Sequence, residues 1–411
     1  MKIVGLVVVL LVAGCGDSGA GGDGLGGGAG SGGGDSGGGG AAPVEPATHF
    51  ADAAMDWSVP DAGLDYGFYR VAQDAVGGGR WATMDMDGDG KPDLVVTADQ
   101  DDKIFGSAAN QVWHVYLNTG AGFAATSTDW TLPDAGLDYG FYRVSQDVSG
   151  GGRWATIDMD GDDKVDLVMT ADQTDATYGA AADQVWHVYF NTGAGFEGAA
   201  TDWNLPDAGL DYGFYRTSQD VTGGGRWVTM DLSGDGKPEL VMTADQDDAI
   251  YGSAADQVWH VYGNTGHGFE ETATDWKLPD AGLDYGFYRV FQDATSGGRW
   301  SVMDMTSDGR PDLVMTADQN DALFGSGADQ VWRVYVSDGA GFGEVATDWG
   351  LPDAGLDYGF YRVSNDSVGG GRWETMDLDG DRRPDLVLTV DQADAIFGSP
   401  ASQVWHVFVG E

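Results

Sequence analysis

The residues with the clearest chemistry are acids at fixed spacing. Asp85-Met86-Asp87-Gly88-Asp89-Gly90-Lys91-Pro92-Asp93 places side-chain oxygens at positions 1, 3, 5 and 9 of a short loop, with glycine at position 6. Such a loop can wrap a hard cation that takes six to eight oxygen ligands, and the glycine permits the positive φ of the sharp turn. A backbone carbonyl at position 7 can complete the set. The twelfth-position glutamate and flanking helices of an EF-hand are missing, so the loop is expected between strands.

Four more loops repeat the pattern. The second offers Asp158, Asp160, Asp162 and Asp166; the third Asp231, Ser233, Asp235 and Glu239; the fourth Asp304, Thr306, Asp308 and Asp312; the fifth Asp377, Asp379, Asp381 and Asp385. Asp163 and Arg382 take the position of the glycine in the second and fifth. Loops three and four have each lost a carboxylate and are expected to bind more weakly. Turn-forming preference explains one Asp-Gly pair, but not acids at positions 1, 5 and 9 in all five copies. The expected cofactor is Ca²⁺, about one per repeat.

Two further motifs recur. Pro60-Asp61-Ala62-Gly63-Leu64-Asp65-Tyr66-Gly67-Phe68-Tyr69-Arg70 returns letter for letter in every repeat. Asp65, Tyr66, Tyr69 and Arg70 are candidates for a ligand loop, with aromatic rings for sugar faces and Asp and Arg for hydroxyls; packing between repeats is the competing reading. Asp99-Gln100-x-Asp102 also recurs. It follows the second strand of its repeat and is expected on the side opposite the acidic loop, so Asp99, Gln100 and Asp102 could share that ligand site. His114, His187, His260 and His406 have no partner at ligand spacing and read as ordinary strand residues, with Arg333 in their place in the fourth repeat.

The elements that position these groups follow from the period. Trp57, Trp130, Trp203, Trp276 and Trp349 are 73 residues apart, and two other tryptophan series keep the same step, so all 15 tryptophans fall three to a repeat. Within one repeat, Arg80–Asp85, Asp93–Ala98 and Gln111–Asn118 read as strands, and Phe123–Trp130 as a weaker fourth. This is the size of a propeller blade. The last repeat lacks a counterpart of 122–129, and residues 47–56 supply it, since Phe50 lies 73 before Phe123. The expectation is an all-β, five-bladed β-propeller, closed into a monomeric ring by an N-terminal strand that removes both sheet edges. A ring assembled from several chains is the lesser alternative.

Residues 1–14 resemble a bacterial lipoprotein signal ending in Val12-Ala13-Gly14 before Cys15, the one cysteine, and the apolar run is too short to span a bilayer. Lipidation of Cys15 follows from that resemblance. Residues 15–46, half glycine, form a flexible linker with a reach of roughly 30 Å, and 47–411 hold the five repeats. The expected address is the cell envelope, at the outer membrane or cell surface, with membrane contact through the lipid alone. A net charge of -46 excludes nucleic acid as a partner, since that needs a basic patch.

The run Asp-Met-Asp-Gly-Asp-Gly-Lys-Pro-Asp-Leu-Val-Val, followed by Val-Tyr-Leu-Asn-Thr-Gly-Ala-Gly-Phe, resembles the FG-GAP/VCBS repeat family, the blades of integrin α-chain heads and of several bacterial surface proteins and fungal lectins. The resemblance implies a propeller with one Ca²⁺ per blade and a role in binding or adhesion; the family commonly has seven shorter blades. No nucleophile with a base and no phosphate loop is present, so the expected activity is non-enzymatic binding of carbohydrate or a surface protein. A protein adhesin or assembly scaffold is the alternative, and a hydrolase a distant one.

Overall fold

The computed structural model describes residues 48–411 apart from 65–66, 69–79, 108–109, 138–139, 142–152, 175, 181–182, 211–212, 215–226, 248, 254–255, 284–285, 288–299, 321, 327–328, 357–358, 361–371 and 400–401. Among the described residues there are 25 strands and no helix. The N-terminal strand β1 is Met55–Ser58; the first blade contains β2 (Trp81–Met84), β3 (Asp93–Val96), β4 (Phe105–Ser107), β5 (Asn110–Tyr116) and β6 (Thr128–Thr131).

The first blade is an antiparallel sheet in which β3 pairs β2 on one side and β5 on the other, and β6 pairs the far side of β5. Strand β4 runs along the same side of β5 as β3. The two are halves of one strand position, interrupted by residues 97–104. Four positions therefore make the blade, as the sequence predicts. The outer one is Thr128–Thr131, later than expected, while Phe123 bridges back to Asn118 at the acidic-loop end. The three-residue β4 escapes prediction because it is short and holds glycine and serine.

Blades two to five repeat this arrangement as separate five-stranded sheets. The edge strand β2 is almost wholly buried although it is an edge, whereas only Trp130 of β6 is. The β2 edge therefore faces the middle of the ring and β6 the outside.

Packing between blades follows from the tryptophans. Trp113 of β5 lies opposite Trp130 of β6 in register, a cross-strand pair of the kind that stabilises sheets. Trp113 also meets Trp154 of the next blade at 5.8 Å. Phe141 of the intervening connection stands edge-on to Trp154 at 5.3 Å. The same grouping recurs at five seams, each with its own buried cluster. Among the described residues, five equivalent interfaces hold the molecule, with no single shared core.

The fifth seam closes the ring as expected. Strand β1 completes the last blade by pairing with Ser402–Phe408, with Trp57 opposite Trp405. Phe50 bridges Gly410 as Phe123 bridges Asn118, and it is buried. The N-terminal strand thus occupies the outer position that the last repeat cannot fill for itself.

Candidate metal loops and the opposite rim

The acidic loop joins β2 to β3. The backbone N–H groups of Gly88 and Gly90 both donate to Asp85, at 2.8 Å each. Asp93, at position 9, accepts from Met86 N (3.1 Å) and Asn118 N (2.7 Å). Positions 4 and 6 are left-handed in all five loops, by glycine or by Asp163, Ser307 and Arg382. Position 2 is buried throughout, by Met86, Met159, Leu232, Met305 and Leu378. That apolar anchor and the two turns hold the carboxylates over a common point.

Ligand atoms of Asp85, Asp87 and Asp93 lie within 4.8 Å of one another, as do those of Asp158, Asp160 and Asp166, and of Asp377, Asp379 and Asp385. In the third loop the group is Asp231, Asp235 and Glu239. There Asp235 at position 5 takes part where position 3 is Ser233. Asp304, Thr306, Asp308 and Asp312 of the fourth loop form no such group among the described residues.

Position 5 mostly has another use. Asp89 pairs with Lys91 (3.2 Å), Asp162 with Lys164 (2.7 Å) and Asp308 with Arg310 (2.6 Å), while Asp381 accepts from Arg383 N (2.8 Å). The stem of each basic residue crosses the preceding blade's loop. A Cβ added at Gly88 would lie 3.0 Å from Lys164 Cγ, and one at Gly380 would lie 2.9 Å from Lys91 Cγ.

The electrostatics of these loops fit a hard dication. Burial raises the position-9 carboxyls, to about 8 for Asp93, Asp166 and Asp385, against the backbone hydrogen bonds that lower them. Burial likewise raises Asp85 to about 6 and Asp158 to about 7, with neighbouring carboxylates adding to the rise. Three desolvated oxygen donors within one ion's reach repel one another, and a bound cation would reverse that. The oxygen-only donor set, without cysteine or histidine, suits Ca²⁺ and not zinc.

Asp99, Gln100 and Asp102 lie at the other end of the blade, as the strand parity predicts. Asp99 accepts from the backbone N–H of Asp101 and Lys103, both at 2.9 Å. Asp102, itself left-handed, accepts from Arg80 Nε, and in the fifth blade Asp394 accepts from Arg372 at 2.7 Å. These arginines are buried and precede the first tryptophan of the blade in every repeat. That recurrence was the available signal for the pairing. Gln100 is exposed.

Asp65, Tyr66, Tyr69 and Arg70 lie outside the described residues, as does Cys15. Their described neighbours Gly67 and Phe68 are structural. The side chain of Gln403 accepts from Phe68 N and donates to Phe68 O, both at 3.0 Å, and Trp405 Nε1 donates to the same carbonyl. A Cβ at Gly67 would run into that glutamine, which accounts for the glycine in every copy. In the connection between the second and third blades, Gln184, Pro206, Asp207, Gly213 and Phe214 line a cleft of about 30 Å³. It has room for little more than a water molecule or two.

The strand histidines stack flat on an aromatic ring, His114 on Phe105 and His187 on Tyr178 at 3.7 Å, and face Asp129 and Asp202 at 3.4 Å. Burial lowers both imidazoles, against the opposing pull of those aspartates. Arg333 lies over Phe324 in the fourth blade. These are cross-strand packing groups.

Residues 82–115, spanning the acidic loop and strands β2 to β5, match the FG-GAP repeat. Among curated proteins no sequence matches the chain. Of solved structures, it is similar to a Photorhabdus luminescens Tc holotoxin pore, at 15% identity and a TM-score of 0.35 over 88% of this chain and 15% of that one. An Agrocybe aegerita lectin that recognises non-reducing terminal N-acetylglucosamine aligns at 15% identity and a TM-score of 0.39, over 89% of this chain and 92% of the lectin. The rhamnogalacturonan lyase YesW aligns at 18% identity and a TM-score of 0.26, over 87% of this chain and 55% of the lyase. The chain thus spans only 15% of the toxin component it resembles.

Proposed function

We propose that this five-bladed ring is a Ca²⁺-stabilised, non-catalytic binding module of the bacterial cell envelope, lipid-anchored through Cys15 and displaying repeated sites to carbohydrate or a surface protein. The observation that carries the reading is the set of four three-carboxylate groups, each with its position-9 acid buried, in the acidic loops of blades one, two, three and five. Such groups are costly to hold together unless a cation neutralises them. Asp85, Asp87 and Asp93 and their counterparts would hold the ion. The ion would supply fixed positive charge that locks each β2–β3 turn; it would take no part in chemistry.

Repetition supports binding over catalysis. Weak equivalent sites on one rigid ring gain by avidity what each lacks alone, whereas a hydrolase needs one well-formed centre. The net charge of -46 and the glycine-rich linker fit a domain held away from a surface. A glycan array probed with the full chain, in Ca²⁺ and in chelator, tests the reading. Retention on at least one glycan in Ca²⁺ that is lost in chelator supports it. Retention on none, together with capture of a surface protein, turns the assignment to a protein adhesin.

A further inference from the structure

The loops are joined to one another by three asparagines, each just beyond the third strand position of its blade. Asn118 Nδ2 donates to Pro92 O of its own loop (3.1 Å) and to Leu378 O in the fifth blade (2.9 Å). Asn191 Nδ2 donates to Val165 O and, across the seam, to Met86 O, both at 3.0 Å. Asn264 Nδ2 bridges Pro238 O and Met159 O, both at 3.1 Å. An amide nitrogen has two hydrogens, and here each is committed to one loop.

The carbonyls chosen matter. Met86 O belongs to the peptide plane that carries the N–H of Asp87, the position-3 ligand. Val165 O belongs to the plane that carries the N–H of Asp166, the position-9 ligand of the next loop. One carboxamide therefore fixes, at the same time, the approach to a ligand in each of two neighbouring sites. A second tie runs the same way: Val165 N donates to Asp85 O across the seam (3.1 Å).

The series has a gap. The equivalent residues in the fourth and fifth blades are Ser337 and Gly410, neither of which can bridge two carbonyls. Blade four thus lacks the link on both of its seams, and its loop is the one that forms no carboxylate group among the described residues.

We infer that the cation sites of blades five, one, two and three are energetically coupled through Asn118, Asn191 and Asn264, while blade four stands outside the series and leaves its loop empty. The inference rests on the Ca²⁺ reading above. An ion ordering one loop meets part of the ordering cost of the next, so later ions bind more tightly than the first.

Calorimetric Ca²⁺ titration of the full chain tests this. The unaltered protein should bind four ions, one for each carboxylate group, with a curve steeper than independent sites allow. Asn191→Ser, which puts the serine of blade four into blade two, should keep that number. It should also flatten the curve and raise the midpoint Ca²⁺ concentration about fivefold or more, the lower end of ordinary coupling. Ser337→Asn ties the third loop only to the empty fourth and should leave both the number of ions and the curve's shape unchanged. A flattening confined to Asn191→Ser is therefore not a general effect of altering this position. A fifth ion bound by Ser337→Asn would overturn the exclusion of blade four. Asp304→Asn with Asp308→Asn should leave the number of bound ions unchanged; a fall by one would overturn the exclusion of blade four. An unaltered curve shape for Asn191→Ser would overturn the coupling and leave the Ca²⁺ reading standing. No Ca²⁺ uptake by the unaltered protein would overturn both.

Discussion

The two rims of the ring use the same residue type in opposite ways. On one rim, Asp85, Asp87 and Asp93 converge, and the donors around them are backbone N–H groups that only partly offset burial. On the other, Asp99 closes its own turn and Asp102 is matched by the buried guanidinium of Arg80. Recurrent acidic spacing thus has two origins. Where a basic side chain or a turn satisfies the acid, the aspartate is an internal fastener. Where acids face one another, the arrangement calls for something from solution.

Removing Ca²⁺ should make the largest difference between the rims. At a hundredfold excess over its dissociation constant a site adds about 2.7 kcal/mol. With several filled sites, chelator should lower Tm by roughly 10 °C or more. Scanning calorimetry in Ca²⁺ and in chelator measures it, and an unchanged Tm would erase the distinction between the rims.

A smaller effect belongs to the opposite rim. Asp102→Ala removes the acceptor facing Arg80 and should cost about 1.5–3 kcal/mol, the usual range for hydrogen bonds to a charged group. Urea unfolding should show the same loss with and without Ca²⁺. If the loss vanishes in chelator, the two rims are not independent.

A third difference is a pH slope near the ring centre. Glu374 replaces the Ala82, Ala155, Val228 and Ser301 of the other inner strands, and burial raises its carboxyl to about 8. Unfolded, it titrates near 4.5. The folded state favours the protonated form, so the stability this group allows is complete below pH 4.5 and is lost as pH rises through about 8. Glu374→Gln should flatten stability against pH over that window in chelator, where bound Ca²⁺ cannot mask it. An unchanged slope would assign the dependence to the loops.

Much of this was legible in the sequence because the repeat places like residues at like positions. The 73-residue tryptophan spacing gave the blades, and the offset of Phe50 and Trp57 gave the closing strand. The acids of the loop were visible because ligand, turn glycine and apolar anchor all lie within nine residues. Pairings between distant parts were not. Arg80 and Asp102 lie 22 residues apart, and Asn118 and Leu378 lie 260 apart, distances over which spacing says nothing of contact. Nor did the pattern show that Asp89 and Asp162 would turn to Lys91 and Lys164, since a side chain's direction depends on the neighbour crossing above it.

The closing strand has a kinetic consequence. The indole-to-carbonyl bond that fastens a connection spans 28 residues at Trp113 and Phe141, but 337 at Trp405 and Phe68. Closing the longer loop costs about 2 kcal/mol more chain entropy by logarithmic scaling. Four seams can therefore zip as the chain emerges, while the fifth waits for the last residues to meet the first. That seam should be the slow step in assembling the ring and the first to part under denaturant, and a covalent staple across it would remove the closure cost and act chiefly on the folding rate.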